Sequence, residues 1–132
     1  MSKRLREVIS NPLHVFLGVT DIQSENGCGE IILTINKNVI NPQGTLHGGI
    51  IYTLSDVCAY AGLLSLLDDD TEAVTHDIQV SVMRSAMLGD EIRFKSEVIK
   101  RGRSICFLQT KVTLGEKIIA TAKITKSLIP MF

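Results

Sequence analysis

The chain has no net charge, because fourteen Lys and Arg are matched by fourteen Asp and Glu over 132 residues. A broad electrostatic footprint for nucleic acid or an anionic membrane is therefore missing, and any anion site has to be local. Cysteine is scarce and unpatterned: Cys28, Cys58 and Cys106 are odd in number, far apart and form no C-x-x-C. That argues against a disulfide framework or a thiolate metal cluster and makes a reducing compartment the expectation. Lys3, Arg4 and Arg6 begin like a signal peptide, but Glu7, Ser10, Asn11 and Pro12 interrupt any apolar stretch that would have to follow. The chain reads as cytoplasmic. It has no internal repeat and no low-complexity tract, and its length suits one domain.

What is there is organised around Asn41-Pro42-Gln43-Gly44-Thr45-Leu46-His47-Gly48-Gly49 and the apolar run from Ile50 to Leu67. Between Gly48 and Leu67 the only charged residue is Asp56, which leaves a membrane span or a helix enclosed by protein. Thr53, Ser55, Asp56 and Ser65 within it, and strand-like runs after it, favour the enclosed helix. Thr45 is a plausible cap for its free amides, and the acidic triplet Asp68-Asp69-Asp70 belongs to the following loop. Gly48 and Gly49 are poor helix formers, so their presence suggests that something approaches the backbone closely.

Residues 1–12 read as a polar lead-in, a short helix at most, ending at Asn11-Pro12; residues 13–132 read as the single domain. Leu13 to Thr20 is readable as extended, and Glu30 to Lys37 alternates as a half-buried strand. After the acidic loop come Glu72 to Arg84, Glu91 to Arg101, Arg103 to Leu114 and Lys117 to Leu128, joined at Gly89, Gly102 and Gly115, which predicts an antiparallel meander. One early strand, a long apolar helix and four more strands make an α+β fold, a sheet curled round a helix. A single copy leaves edges uncovered, so at least a dimer is expected.

A carboxylate in the middle of an apolar helix costs stability unless it is paired, hydrogen-bonded or used, which makes Asp56 the most informative residue. Tyr52 and Tyr60, four residues to either side, could satisfy it locally. The Gly48 end of the helix, with free amides and the positive end of the dipole, suits negative charge, including a developing oxyanion. Eight residues, about 12 Å, separate the two features, too far for one chain to aim both at one carbonyl. Two antiparallel helices of a symmetric dimer would bring Asp56 of one copy to Gly48 of the other. His76 and Asp77, adjacent on a strand, face opposite ways and do not build a metal centre with His47. His76 falls in register with Val74, Ile78 and Val80 and reads as packed. Cys58 reads as core rather than nucleophile.

The run Asn41-x-x-Gly44-x-Leu46-His47-Gly48-Gly49, then Leu54-x-Asp56, then Thr75 to Asp77 and Arg84 ahead of Leu88-Gly89-Asp90, resembles the hot-dog-fold acyl-CoA thioesterases of the phenylacetic-acid-degradation type. Ser85 stands where that family often has proline. The resemblance implies that Asp56 activates water or attacks the thioester, that the Gly48 amide binds the thioester oxygen near His47, that Asn41 orients water or carbonyl from the facing subunit, and that Thr75 supports the carboxylate. It implies an acyl-CoA substrate, no cofactor or metal, no nucleic acid or membrane partner, and a homo-oligomer with shared sites, a dimer of dimers. The basic turn Arg101-Gly102-Arg103-Ser104, with Lys126 beside it, is then expected to hold the phosphates of coenzyme A. A non-catalytic acyl-CoA-binding or sensor module of the same fold is the alternative, and a dehydratase is disfavoured by a lone Asp56.

Overall fold

The computed structural model describes residues 2–132. Two short helices come first, α1 (Lys3–Ser10) and α2 (Pro12–Leu17). Ser2 caps α1, accepting from the Leu5 amide at 3.1 Å, and Leu5 is buried in the main core. Asn11 ends α1 and starts α2, its Oδ1 accepting from Leu13 N at 3.0 Å. Leu13 to Thr20 was expected to extend, and it instead begins with helix. Pro12 occupies the first helical turn, where no amide is needed. Gly18, at φ 103°, ends α2 in the left-handed region.

Strands β1 (Gln23–Glu25) and β2 (Cys28–Thr34) lead through the 37–46 loop to α3 (Gly48–Leu64), a helix of 17 residues. Its cap is His47, whose Nδ1 accepts from Gly49 N at 2.9 Å, and not Thr45. Thr45 Oγ1 instead accepts from Asn41 Nδ2 within the preceding loop, at 2.7 Å. Asp68 to Asp70 lie beyond the helix, in the loop before β3. The helix presses on the sheet most closely where two glycines meet: a Cβ on Gly62 would stand 2.6 Å from the amide nitrogen of Gly29. Along that contact the sheet donates hydroxyls to helix carbonyls spaced three residues apart. Ser24 reaches Ala61 O (2.5 Å), Ser96 reaches Cys58 O (2.9 Å) and Thr110 reaches Ser55 O (3.0 Å). Ser55 O and Cys58 O have a second lone pair for this bond beyond the helical one, and Ala61 O lies in the last turn, where the Ser65 amide bonds Gly62 O instead.

The remaining strands are β3 (Thr71–Val82), β4 (Glu91–Arg101), β5 (Ile105–Leu114) and β6 (Lys117–Pro130). They complete a six-stranded antiparallel sheet in the order β1-β2-β4-β5-β6-β3. Only β4, β5 and β6 form the expected meander. β3 pairs with β6 instead of β4. The segment after β3 is too long for a tight turn, and it bonds elsewhere: Met83 N to Ile119 O, Ala86 O from Leu46 N, and Gly89 N to Ile35 O, each at 2.8 Å. A bulge between Thr75 and Asp77 shifts the phase of β3. Ala73 and Thr75 then share the inner face with Ile78 and Val80, and His76, expected to pack with them, is exposed and lies 3.1 Å from Ser127 Oγ. The outer edge of β3 has no strand beside it among the described residues. No helix among the described residues is long and apolar enough to cross a membrane.

Candidate active site

Asp56 is not satisfied by the tyrosines on its own helix. Its carboxylate is met from the sheet: Thr75 Oγ1 lies 2.8 Å from Oδ1 and 2.9 Å from Oδ2, sharing its one hydrogen between them. Lys126 Nζ donates to Asp56 Oδ1 at 2.7 Å and to Thr75 Oγ1 at 2.9 Å. Thr75 and Lys126 are direct partners in the β3–β6 register, so one pair of strands presents both groups to the middle of α3. The Lys126 side chain is 2% exposed and that of Asp56 is 33% exposed. The carboxylate therefore opens outward while the ammonium is sealed behind it.

This overturns the expectation that Lys126 holds phosphate. Its backbone does run beside the basic turn, opposite Cys106, but its side chain follows the inward phase of β6 with Ala120, Ala122 and Ile124. An ammonium engaged there cannot reach a solvent-borne phosphate. The turn itself keeps the other four residues together: Gly102 N bonds Ile105 O at 3.0 Å and Arg101 Nη1 bonds Gly102 O at 2.6 Å. Arg101, Arg103 and Ser104 are exposed. Gly102 is needed sterically, because a Cβ there would collide with the Ile105 carbonyl.

Asp56, Thr75 and Lys126 wall a chamber of about 360 Å³ that reaches Tyr60 and Glu72 and is closed on one side by Arg4 of α1. Tyr60 donates to Glu72 Oε1 at 2.7 Å. Burial, then the Glu72 carboxylate, push the Tyr60 hydroxyl above its ordinary range, so it stays protonated. Arg4 grips the start of β3 and the loop before it, bonding Thr71 O at 2.7 Å and Asp68 O at 2.6 Å, and lies 3.5 Å from Glu72. Lys126, Glu72 and Arg4 were not anticipated as neighbours of Asp56; Tyr60 was, and it shares the chamber without bonding the carboxylate. A lysine in the apolar phase of β6 was a readable signal, but its meaning depends on β3 lying beside β6.

Asn41, His47 and Gly48 do not line this chamber. Asn41 braces its own loop, its Oδ1 accepting from Gln43 N and Thr45 N, each at 3.1 Å. His47 Nδ1 is an acceptor in its cap, which leaves the ring proton on Nε2. Gly48 is exposed, and a Cβ on it would meet nothing within 4 Å. Cys58 is no nucleophile: burial pushes its thiol up to about 12, and it is fully covered.

An antiparallel sheet curled on one long helix is the hot-dog arrangement. Residues 43–121 match the thioesterase superfamily, and the chain belongs to that superfamily of thioester hydrolases. Among its relatives, human acyl-coenzyme A thioesterase 13 is 29% identical over 97% of this chain and 96% of the human one. The mouse protein of the same name is 30% identical over 73% of this chain and 69% of its own. The crystal structure of zebra fish thioesterase superfamily member 2 superposes with a TM-score of 0.82 at 25% identity, covering 93% of this chain and 91% of that one.

Proposed function

We propose that this protein hydrolyses an acyl-CoA thioester to the free acid and coenzyme A, with Asp56 as the acting carboxylate. The observation that carries this reading is the Asp56 carboxylate itself, partly open to the chamber and bound by Thr75 on both oxygens. A thioester carbonyl is already activated, so one positioned base and one oxyanion donor suffice. In the balanced step, water adds its oxygen to the acyl carbon, the C–S bond breaks and the thiolate leaves, to be protonated as the free thiol. Asp56 either takes the proton of that water or attacks the carbon first, forming an anhydride that water then opens.

The amide of Gly48 serves as oxyanion donor. It is about 12 Å along the helix from Asp56 of the same chain, so the donor comes from a second copy, with His47 and Asn41 flanking it. Support comes from two features: the bare space around Gly48 and the open twelve-residue edge of β3, a surface that a second copy would cover. Two such dimers stacking would give the tetramer. The exposed Arg101, Arg103 and Ser104 turn holds the nucleotide phosphates, a role that suits its charge and exposure.

The test is release of free thiol from aryl-, short- and long-chain acyl-CoA esters by the parent and by Asp56→Asn, which is nearly isosteric. Turnover should fall by about 10²-fold or more with the fold kept, the usual scale for losing a positioned base. Equal turnover in the two proteins would end the assignment. Binding of acyl-CoA without release of thiol from any ester would identify a non-catalytic binding module.

A further inference from the structure

Lys126 is the one charge that β6 turns inward, and it is 2% exposed. An ammonium carries three hydrogens and no acceptor. All three have destinations in the site: Asp56 Oδ1 at 2.7 Å, Thr75 Oγ1 at 2.9 Å and the face of Tyr60, whose centroid is 5.7 Å away. Because Lys126 can only donate, its bond makes Thr75 an acceptor on that side and turns the single Thr75 hydrogen toward Asp56. The result is asymmetric. Oδ1 receives Lys126 and a share of Thr75, whereas Oδ2 receives only a share of the Thr75 hydrogen.

From this we infer that Lys126 is a positioning residue for Asp56: it pins Oδ1 and the Thr75 hydroxyl so that Oδ2 is the oxygen offered to the chamber. The inference rests on Asp56 being the acting carboxylate. On this inference Lys126, its ammonium engaged by Asp56 and Thr75, acts through those two residues. Two other roles make different predictions. A purely structural ion pair can often be replaced by a well-packed apolar side chain without loss, and a phosphate-gripping lysine would alter substrate affinity instead of turnover.

The experiment compares steady-state kinetics of the parent, Lys126→Met, Lys126→Gln, Asp56→Asn and the Asp56→Asn/Lys126→Met double variant, each checked for fold by circular dichroism. Lys126→Met should lower kcat by roughly 10²-fold, the penalty of a misplaced reacting group, with KM within about threefold of the parent. The double variant should be no slower than Asp56→Asn alone, since a residue acting only through Asp56 has nothing left to position. Should Lys126→Met fail to fold, Lys126→Gln, neutral and too short to hold both Asp56 Oδ1 and Thr75 Oγ1 as the ammonium does, is read by the same criteria. Retained kcat with a lowered Tm, raised KM with unchanged kcat, or losses that multiply in the double variant would each overturn the inference. An active parent, a dead Asp56→Asn and a fully active Lys126→Met would overturn this inference alone. A parent that releases no thiol, or an Asp56→Asn as fast as the parent, would remove the Asp56 reading and the inference with it.

Discussion

Gly48 is the first residue of α3, and its amide makes no hydrogen bond in its own chain among the described residues. Proline is tolerated at that helical position because the amide is unused by the helix. The residue before it, His47, already has the extended conformation proline demands, at φ −65° and ψ 127°. Gly48→Pro is therefore a substitution that removes one N–H and little else. If this amide is the oxyanion donor, kcat should fall by about 10²- to 10³-fold, while the thermal midpoint stays near that of the parent. A variant that keeps its turnover would transfer the oxyanion role to another group. Asp56 was legible at this scale because a lone carboxylate in an apolar helix has no cheap explanation. Lys126 was misjudged, because lysines at strand ends are usually solvated and only its inward phase, among Ala120, Ala122 and Ile124, said otherwise.

The elements were legible where one periodicity decided them. β2, β4 and β5 alternate over most of their length, and α3 declares itself by the length of its apolar run. The position of β3 was not legible, because alternation says which face a strand buries and nothing about its neighbour. The bulge at His76 was invisible for the same reason: it reverses the phase without altering composition. α2 was missed because Asn11-Pro12 both stops one helix and begins the next. Close packing of α3 on β2 carries its own prediction. Gly62→Ala places a methyl group 2.6 Å from a backbone nitrogen that cannot yield as a side chain can. It should cost about 1–3 kcal/mol, the range for overpacking, against the roughly 1 kcal/mol that alanine ordinarily gains over glycine within a helix. Thermal denaturation should show a lowered midpoint, and an unchanged or raised one would mean the helix can lift from the sheet at no cost.

For the whole molecule, a site divided between two copies makes a demand that a self-contained site does not. If the site is divided in this way, Asp56→Asn and Gly48→Pro each disable one half of every site in their own homodimers. If chains of the two variants exchange, half of the dimers formed at equal mixing pair one of each kind. Such a dimer holds one site built from an intact Asp56 and an intact Gly48, and one built from Asn and Pro. Mixing two inactive proteins, after mild dissociation and reassembly, should therefore restore about a quarter of the parent's turnover per chain, as two-fold symmetry requires. Activity that returns on mixing cannot come from either chain alone, because neither carries both groups. With native mass spectrometry of differently tagged chains showing that mixed dimers had formed, continued inactivity would place Asp56 and its oxyanion donor in one chain, leaving the bare surface around Gly48 and the open edge of β3 to some other purpose.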